Sequence, residues 1–303
     1  MTPQTGSDLI IRGARWAAAI IAAATLLVAG AKAAAPPPPR RIVSLVPSIT
    51  EMLYAIGAGS RVVGVSSFDH FPADVENLPR VGALIDPDIE KVLSLRPDLV
   101  VTYGSQSDFS DKLASAGIQT FTYRHTSLAG IPETIRQIGS RLGLEAGSSA
   151  LAAKLEHDLN AVRDRAKGSR RPRTMIVIGR EPRSLRSINV SGGVGFLHDL
   201  AELAGADNIF SAVPRESILV TTETILARAP ELILELHYTE APSAALVDAE
   251  KGAWARLSAV PAVKANRVVL LFGEELVLPG PRVVETARVF ARAIHPELTQ
   301  TPR

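Results

Sequence analysis

The chain of 303 residues has no cysteine. That absence excludes disulfides, thiolate metal sites, a thiol nucleophile and the lipid-attachment cysteine of a bacterial lipoprotein. Folding must rest on packing alone. An excess of one charge is also missing, since 33 Lys and Arg face 31 Asp and Glu. No basic cluster is interleaved with aromatics, so a nucleic-acid partner is excluded. Catalytic signatures are lacking as well: there is no Gly-x-Ser-x-Gly elbow and no P-loop lysine motif, and the chain is read as a non-enzyme. Ser191-Gly-Gly-Val-Gly195 is a glycine-rich entry to a helix, either a tight turn or a phosphate cradle.

Long apolar runs are confined to the N-terminus. Arg12 and Arg15 precede an apolar run over 16–30, after which Ala31-Lys-Ala-Ala-Ala35 supplies small residues ahead of four prolines at 36–39. The pattern reads as a secretory signal over 1–35, cleaved between Ala33 and Ala35, because the run falls short of the roughly 20 residues of a membrane span. Retained, it would be a tether. The proline-rich leader over 36–40 is stiff and extended. The expectation is an exported, soluble periplasmic protein that is not a lipoprotein.

What the chain does have is one segment written twice. Glu90-Lys-Val-Leu-Ser-Leu-Arg-Pro97-Asp98-Leu-Val-Val101 is matched by Glu223-Thr-Ile-Leu-Ala-Arg-Ala-Pro230-Glu231-Leu-Ile-Leu234. Each copy reads as an exposed carboxylate, a short amphipathic helix, a proline stop and a buried strand. Two copies imply two similar lobes with Glu90 and Glu223 at the same position, an arrangement suited to a two-fold partner. A glutamate in a first helical turn also sits well beside the positive helix end, so each alone is equally a helix-start residue.

Around these segments the apolar pattern alternates between strands and helices. Strands are predicted over 41–46, 61–65, 98–102 and 119–123, with helices over 88–95 and 107–116. Ser48-Ile-Thr-Glu51 has capping-box spacing and predicts a helix stopped by Gly57. The second half repeats the rhythm with strands over 174–178, 231–236 and 267–271, and helices over 194–204, 221–228 and 281–294. The alternation predicts an α/β fold of two Rossmann-like lobes, 41–146 and 169–303, with mostly parallel sheets. Between them, residues 148–167 carry no Gly or Pro and place Leu151, Leu155, Leu159 and Val162 along one face. One rigid helix of about 30 Å, within a linker over 147–168, restricts the lobes to small relative movements.

The stretch Arg41-Ile-Val-Ser-Leu-Val-Pro-Ser-Ile-Thr-Glu-Met-Leu-Tyr-Ala-Ile-Gly-Ala-Gly-Ser-Arg-Val-Val-Gly-Val-Ser-Ser67 strongly resembles the periplasmic vitamin B12-binding proteins. These belong to the helical-backbone class of ABC-transporter substrate-binding proteins that also serves haem and ferric siderophores. The resemblance continues through both glutamate segments, Gly205-Ala-Asp-Asn-Ile-Phe210 and Pro281-Arg282. It implies a ligand between the lobes and delivery to a dimeric inner-membrane permease with its ATPase subunits, the binding protein itself being a monomer. It also implies that Glu90 and Glu223 pair with permease arginines, a match that carboxylate and guanidinium make bidentately. Cobalamin or a related corrinoid is the implied cargo, with haem or a ferric siderophore as the alternative and no intrinsic cofactor. The chain departs from the B12 pattern at Gly82-Ala83-Leu84, where no tryptophan stands, and neither Trp16 nor Trp254 replaces it.

In open α/β sheets ligands bind beyond the carboxyl ends of the strands. That rule nominates Pro47, Ser48, Ser67, Phe68, Tyr103 and Gly104 on the first lobe, and Arg180, Glu181, His237 and Glu274 on the second. Tyr103 suits a flat apolar macrocycle, as pocket wall or sheet-edge cover. The charges of Arg180, Glu181, Glu274 and Glu275 either bond polar arms of a ligand or stay solvated. Arg282 is placed near the cleft by the resemblance. His70 and His237 follow strands, and haem iron takes His or Tyr as an axial ligand, but the six histidines show no close spacing for a free metal site.

Overall fold

The computed structural model describes residues 37–124, 127–239 and 243–299. The expected signal segment over 1–35 lies outside them. Strands β1 (Ile42–Ser44), β2 (Val62–Val65), β3 (Leu99–Tyr103) and β4 (Gln119–Tyr123) form a first sheet in the order β2-β1-β3-β4. Every pairing in it is parallel. The second sheet contains β5 (Arg173–Gly179), β6 (Ile188–Ser191), β7 (Asp207–Asn208), β8 (Ser217–Val220), β9 (Leu232–His237) and β10 (Val268–Phe272). Its order is β10-β9-β5-β6-β8, with β7 beside β5. The β10, β9, β5 and β7 pairings are parallel, whereas β6 runs antiparallel to β5 and β8. The fold is thus α/β with two sheets, as the alternation implied. The antiparallel edge escaped the sequence reading because β6 and β8 have four residues each and β8 lies half open, with Leu219 75 % exposed.

A helix over Glu145–Ala166 joins the two sheets, 22 residues and hence about 33 Å long. It buries Ser148, Ala152, Leu155, Leu159, Val162 and Ala166, a 4-3-4-3-4 spacing that follows one face. It lies against the helix Gly130–Arg141 from the first half and the helix Val283–Ile294 from the second. Strand alternation completes the arrangement: Leu99 and Val101 of β3, with Leu232, Leu234 and Leu236 of β9, join the same core as this helix. Val100 and Ile233 point the other way, into separate outer clusters. One inner core therefore runs from sheet to sheet through the connecting helix.

The repeated segment folds alike in both halves. The helix Ile89–Ser94 starts from Asp88, whose carboxylate accepts the Lys91 amide at 2.9 Å; the helix Thr222–Arg228 starts from Thr221, whose hydroxyl accepts the Thr224 amide at 3.3 Å. Each helix ends before a non-glycine residue with left-handed backbone, Arg96 at φ 47° and Ala229 at φ 46°. Asp98 then accepts the Arg41 amide at 2.9 Å, and Glu231 the Arg173 amide at 3.0 Å. Those two arginines close the unit by donating back to the carbonyls of Leu95 and Arg228, both at 2.6 Å. The carboxylate and the arginine lock each helix end to the first strand of its sheet.

The capping box at Ser48 is corrected. The helix Pro47–Ala55 begins on Pro47, with Val46 as its N-cap and no side-chain cap bond. Proline tolerates a first helical position because its missing N–H would be unpaired there anyway. Glu51, freed from capping, crosses to the second half of the chain and pairs with Arg282 at 2.6 and 3.1 Å.

Candidate ligand-binding cleft

The carboxyl ends of β1, β3 and β4 border a hollow of about 380 Å³ whose lining is almost wholly apolar. Val46, Pro47 and Ser48 form one side, Phe68, Leu84 and Ile85 the rim, and Tyr103 with Tyr123 the floor. Val277, Leu278 and Pro279 reach it from the second half of the chain. In-register pairing sets Tyr103 beside Tyr123, with rings edge to face at 5.9 Å and 64°. Gln106 fixes the end of β3, accepting the Tyr103 amide at 2.7 Å and donating to the Leu84 carbonyl at 2.8 Å. Phe68 and Ile85 are 64 % and 92 % exposed. Large apolar side chains held so open around a hollow mark a surface waiting for apolar cover.

A second hollow of about 280 Å³ shares Val277 and is lined from the other sheet by Ile178, Asn189, Phe196, Glu216, Ser217 and Tyr238, among others. The Tyr238 hydroxyl donates to the Ile178 carbonyl, holding its ring across the end of β5. The two hollows adjoin at Val277, one bordering each sheet. A larger space of about 570 Å³ lies along the connecting helix. Its charged edge is already engaged, Arg171 with Glu202 and Asp199 with the Leu128 amide, and it lies away from the strand ends.

The structure separates the predicted residues. Pro47, Ser48, Phe68 and Tyr103 come together in the first hollow, with Ser67 and Gly104 adjoining. The Ser67 amide donates to Gly82 at 2.8 Å and the Gly104 amide to Tyr123 at 2.8 Å. The charged wall expected on the second lobe is not there. Arg180 is buried, 2 % exposed, and pairs with Glu235 at 2.9 Å and Glu250 at 2.8 Å. Glu181 faces solvent and pairs with Arg186 at 2.7 Å. His237 stacks on Phe272 at 4.8 Å, with its Nε2 3.1 Å from Glu235. Glu274 is exposed and lines neither hollow. Arg282 is bound to Glu51 and, at 3.4 Å, to Glu275, with Phe71 4.3 Å from its guanidinium carbon. The buried charge of Arg180 needs its carboxylate partners before any ligand can claim it, whereas Glu181 and Glu274 stay accessible to solvent. Tyr123 was legible from the end of its strand. Asn189, Glu216 and Val277 were not, because they come from the antiparallel β6, the bend before β8 and a 3-10 turn, which the parallel-sheet rule does not cover.

Burial first, and then Tyr103 and Glu216, push the Tyr123 phenol upward. Burial likewise raises Glu51, the Arg282 guanidinium offsetting only part of it, and raises Asp69 beneath the Ser66 turn. Glu235 goes the other way. Burial works to raise it, but His237, Arg180 and Trp254 outweigh burial and hold it below the usual carboxylate range.

Glu90 and Glu223 are each the second residue of their helix and both are exposed. Each helix runs back along the strand it precedes, so both glutamates stand on the cleft side of their sheets.

These features define a two-walled binding protein, and the chain belongs to the periplasmic binding protein family, whose model matches residues 42–274. It is 30 % identical over 266 residues to an ABC transporter substrate-binding lipoprotein of Bacillus subtilis, covering 85 % of this chain and 81 % of that one. It is 29 % identical over 198 residues to the vitamin B12-binding protein of Yersinia pestis, covering 64 % and 68 %. Among solved structures, the periplasmic vitamin B12-binding protein of Vibrio cholerae matches with a TM-score of 0.73 at 24 % identity over 88 % of this chain and 100 % of the other. A periplasmic haem-binding protein of Pseudomonas aeruginosa matches with a TM-score of 0.74 at 23 % identity, over 88 % and 95 %. The chain is an ABC-transporter substrate-binding protein of the type that serves vitamin B12, haem and siderophores, and its relatives are transport proteins rather than enzymes. The Bacillus relative corrects one expectation. Its name gives a lipoprotein, which points to a membrane-anchored form and overturns the reading of a soluble periplasmic protein that is not a lipoprotein.

Proposed function

We propose that the cleft carries cobalamin or a related corrinoid as cargo for a dimeric ABC permease and its ATPase subunits. The observation behind this reading is the apolar, tyrosine-floored hollow that adjoins a second one at Val277. A corrin presents a flat apolar face and polar arms at its edge, so it would lie over Tyr103 and Tyr123 and turn its arms toward Asn189 and Ser217. The Yersinia relative, named for vitamin B12, favours the same cargo. Titration of the protein with cyanocobalamin tests it: saturable heat at micromolar concentration is expected, and no heat there defeats the assignment.

Haem is the second reading, favoured by the Tyr103 phenol at the hollow, since haem iron accepts tyrosine as an axial ligand. A ferric siderophore would use the same walls. A haem absorption band that shifts on mixing, and shifts back in Tyr103→Phe, would move the assignment to haem.

Delivery rests on Glu90 and Glu223, which offer two exposed carboxylates in matching frames. Helix-start carboxylates with no arginine or lysine partner among the described residues are free to take bidentate guanidinium partners on a permease.

A further inference from the structure

The two walls are one-sided in charge. Among the described residues lining either hollow there is no Lys, Arg or His, and the single carboxylate is Glu216. The buried side chain of Arg180 is engaged by Glu235 and Glu250, and the half-buried Arg282 by Glu51 and Glu275. Arg124 is exposed beside Gly104 and lines neither hollow.

Glu216 is held in place by its backbone. Its carbonyl accepts the Gly192 amide at 3.0 Å, tying it to the glycine turn that enters the helix Phe196–Leu203. Within that turn Gly195 adopts φ 93°, and a Cβ there would approach the Glu216 Cγ to 3.2 Å. The glycine run noted in the sequence thus leaves room for the glutamate stem. No cation pairs with Glu216 among the described residues. Its charge reaches the opposite wall, contributing with burial and Tyr103 to the raised phenol of Tyr123.

We propose that Glu216 sets the charge class of the cargo, accepting a macrocycle whose arms are amides or cationic and rejecting one whose edge carries carboxylates. This rests on the reading of the cleft as a macrocycle site and deepens it. A carboxylate accepts from an amide N–H and gains strength from its charge. Glu216 is exposed at the hollow, so toward a second carboxylate its repulsion is screened but keeps its sign, and no base in the lining offsets it.

The test uses matched ligands. Dissociation constants of the intact protein are measured for cobinamide and cobyrinic acid, which share the corrin ring and differ in amide or carboxylate arms, and for haem dimethyl ester and haem. The neutral or cationic member of each pair is expected to bind roughly tenfold or more tightly, a difference of about 1.4 kcal/mol. Glu216→Gln is expected to shrink the ratio toward one, and Glu216→Lys to invert it. Equal ratios in wild type and Glu216→Gln, or a wild-type preference for cobyrinic acid or haem, overturn the charge filter while leaving the macrocycle site standing. If neither macrocycle binds, the cargo reading falls and the filter falls with it.

Discussion

The two copies of the repeated segment stay alike through the strand and then part within two residues. From Asp98 and Glu231 the strands run as Leu99-Val-Val101 and Leu232-Ile-Leu234, anchored by the same carboxylate and arginine bonds. The next buried position is Thr102 in one and Glu235 in the other. Thr102 joins a ladder of hydroxyls with Thr122 at 3.3 Å and Ser110 at 3.4 Å. Glu235 heads an ionic network with Arg180, His237 and the Trp254 indole, the last at 2.7 Å. Where both halves would meet a symmetric partner they are the same. At the ends of the strands they differ, one half built on neutral bonds and the other on charge.

The largest test of that contrast is stability. Glu235→Ala strips a buried guanidinium of one partner and is expected to cost about 3–5 kcal/mol in urea unfolding. Thr102→Val, at the same place in the other half, is expected to cost about 1 kcal/mol. Equal costs would break the distinction between the walls.

Acid titration sharpens it. Glu51 and Asp69 have folded pKa values above their unfolded ones, so as pH falls from neutral they bind protons sooner in the folded state and add stability. Glu235 lies below its unfolded value; its contribution is present above that value and is lost as pH falls through the folded one. Urea midpoints between neutral pH and pH 3 should therefore show a smaller acid-side decline in Glu235→Gln and a smaller earlier gain in Asp69→Asn. A Glu235→Gln profile that parallels wild type would remove His237 and Arg180 as the cause.

In binding, Tyr103→Ala is expected to weaken corrinoid affinity roughly tenfold through lost aromatic cover, and Tyr238→Ala in the adjoining hollow to do less. A larger loss at Tyr238 would transfer the principal contact to the second lobe. The smallest effect on the isolated protein belongs to Glu90→Ala with Glu223→Ala. Stability should stay within about 0.5 kcal/mol and cargo affinity should not change, while uptake through the permease falls. Wild-type uptake in that double variant would end the docking proposal.

The fold was legible in the sequence because its signals are long or doubled: the unbroken face from Leu151 to Val162 and the two glutamate segments each repeat one pattern enough times to stand out. The cleft was half legible. Apolar candidates at parallel strand ends, such as Phe68 and Tyr103, line the hollow, since an apolar side chain needs no particular partner. The bonds made by Arg180, and by the Arg282 that the resemblance places near the cleft, were not legible, because a charge is placed by its counter-charge, and Glu250 and Glu51 lie 70 and 231 residues away in the chain. No local pattern records a pairing of that range.

The inner core shared by both sheets and the connecting helix has a consequence for how the molecule gives way. Leu99 and Leu232 lie in one apolar layer, so beyond the outer cluster that each half keeps for itself the two halves share one interior. Heating should show one calorimetric transition over the ordered body, with calorimetric and van't Hoff enthalpies equal.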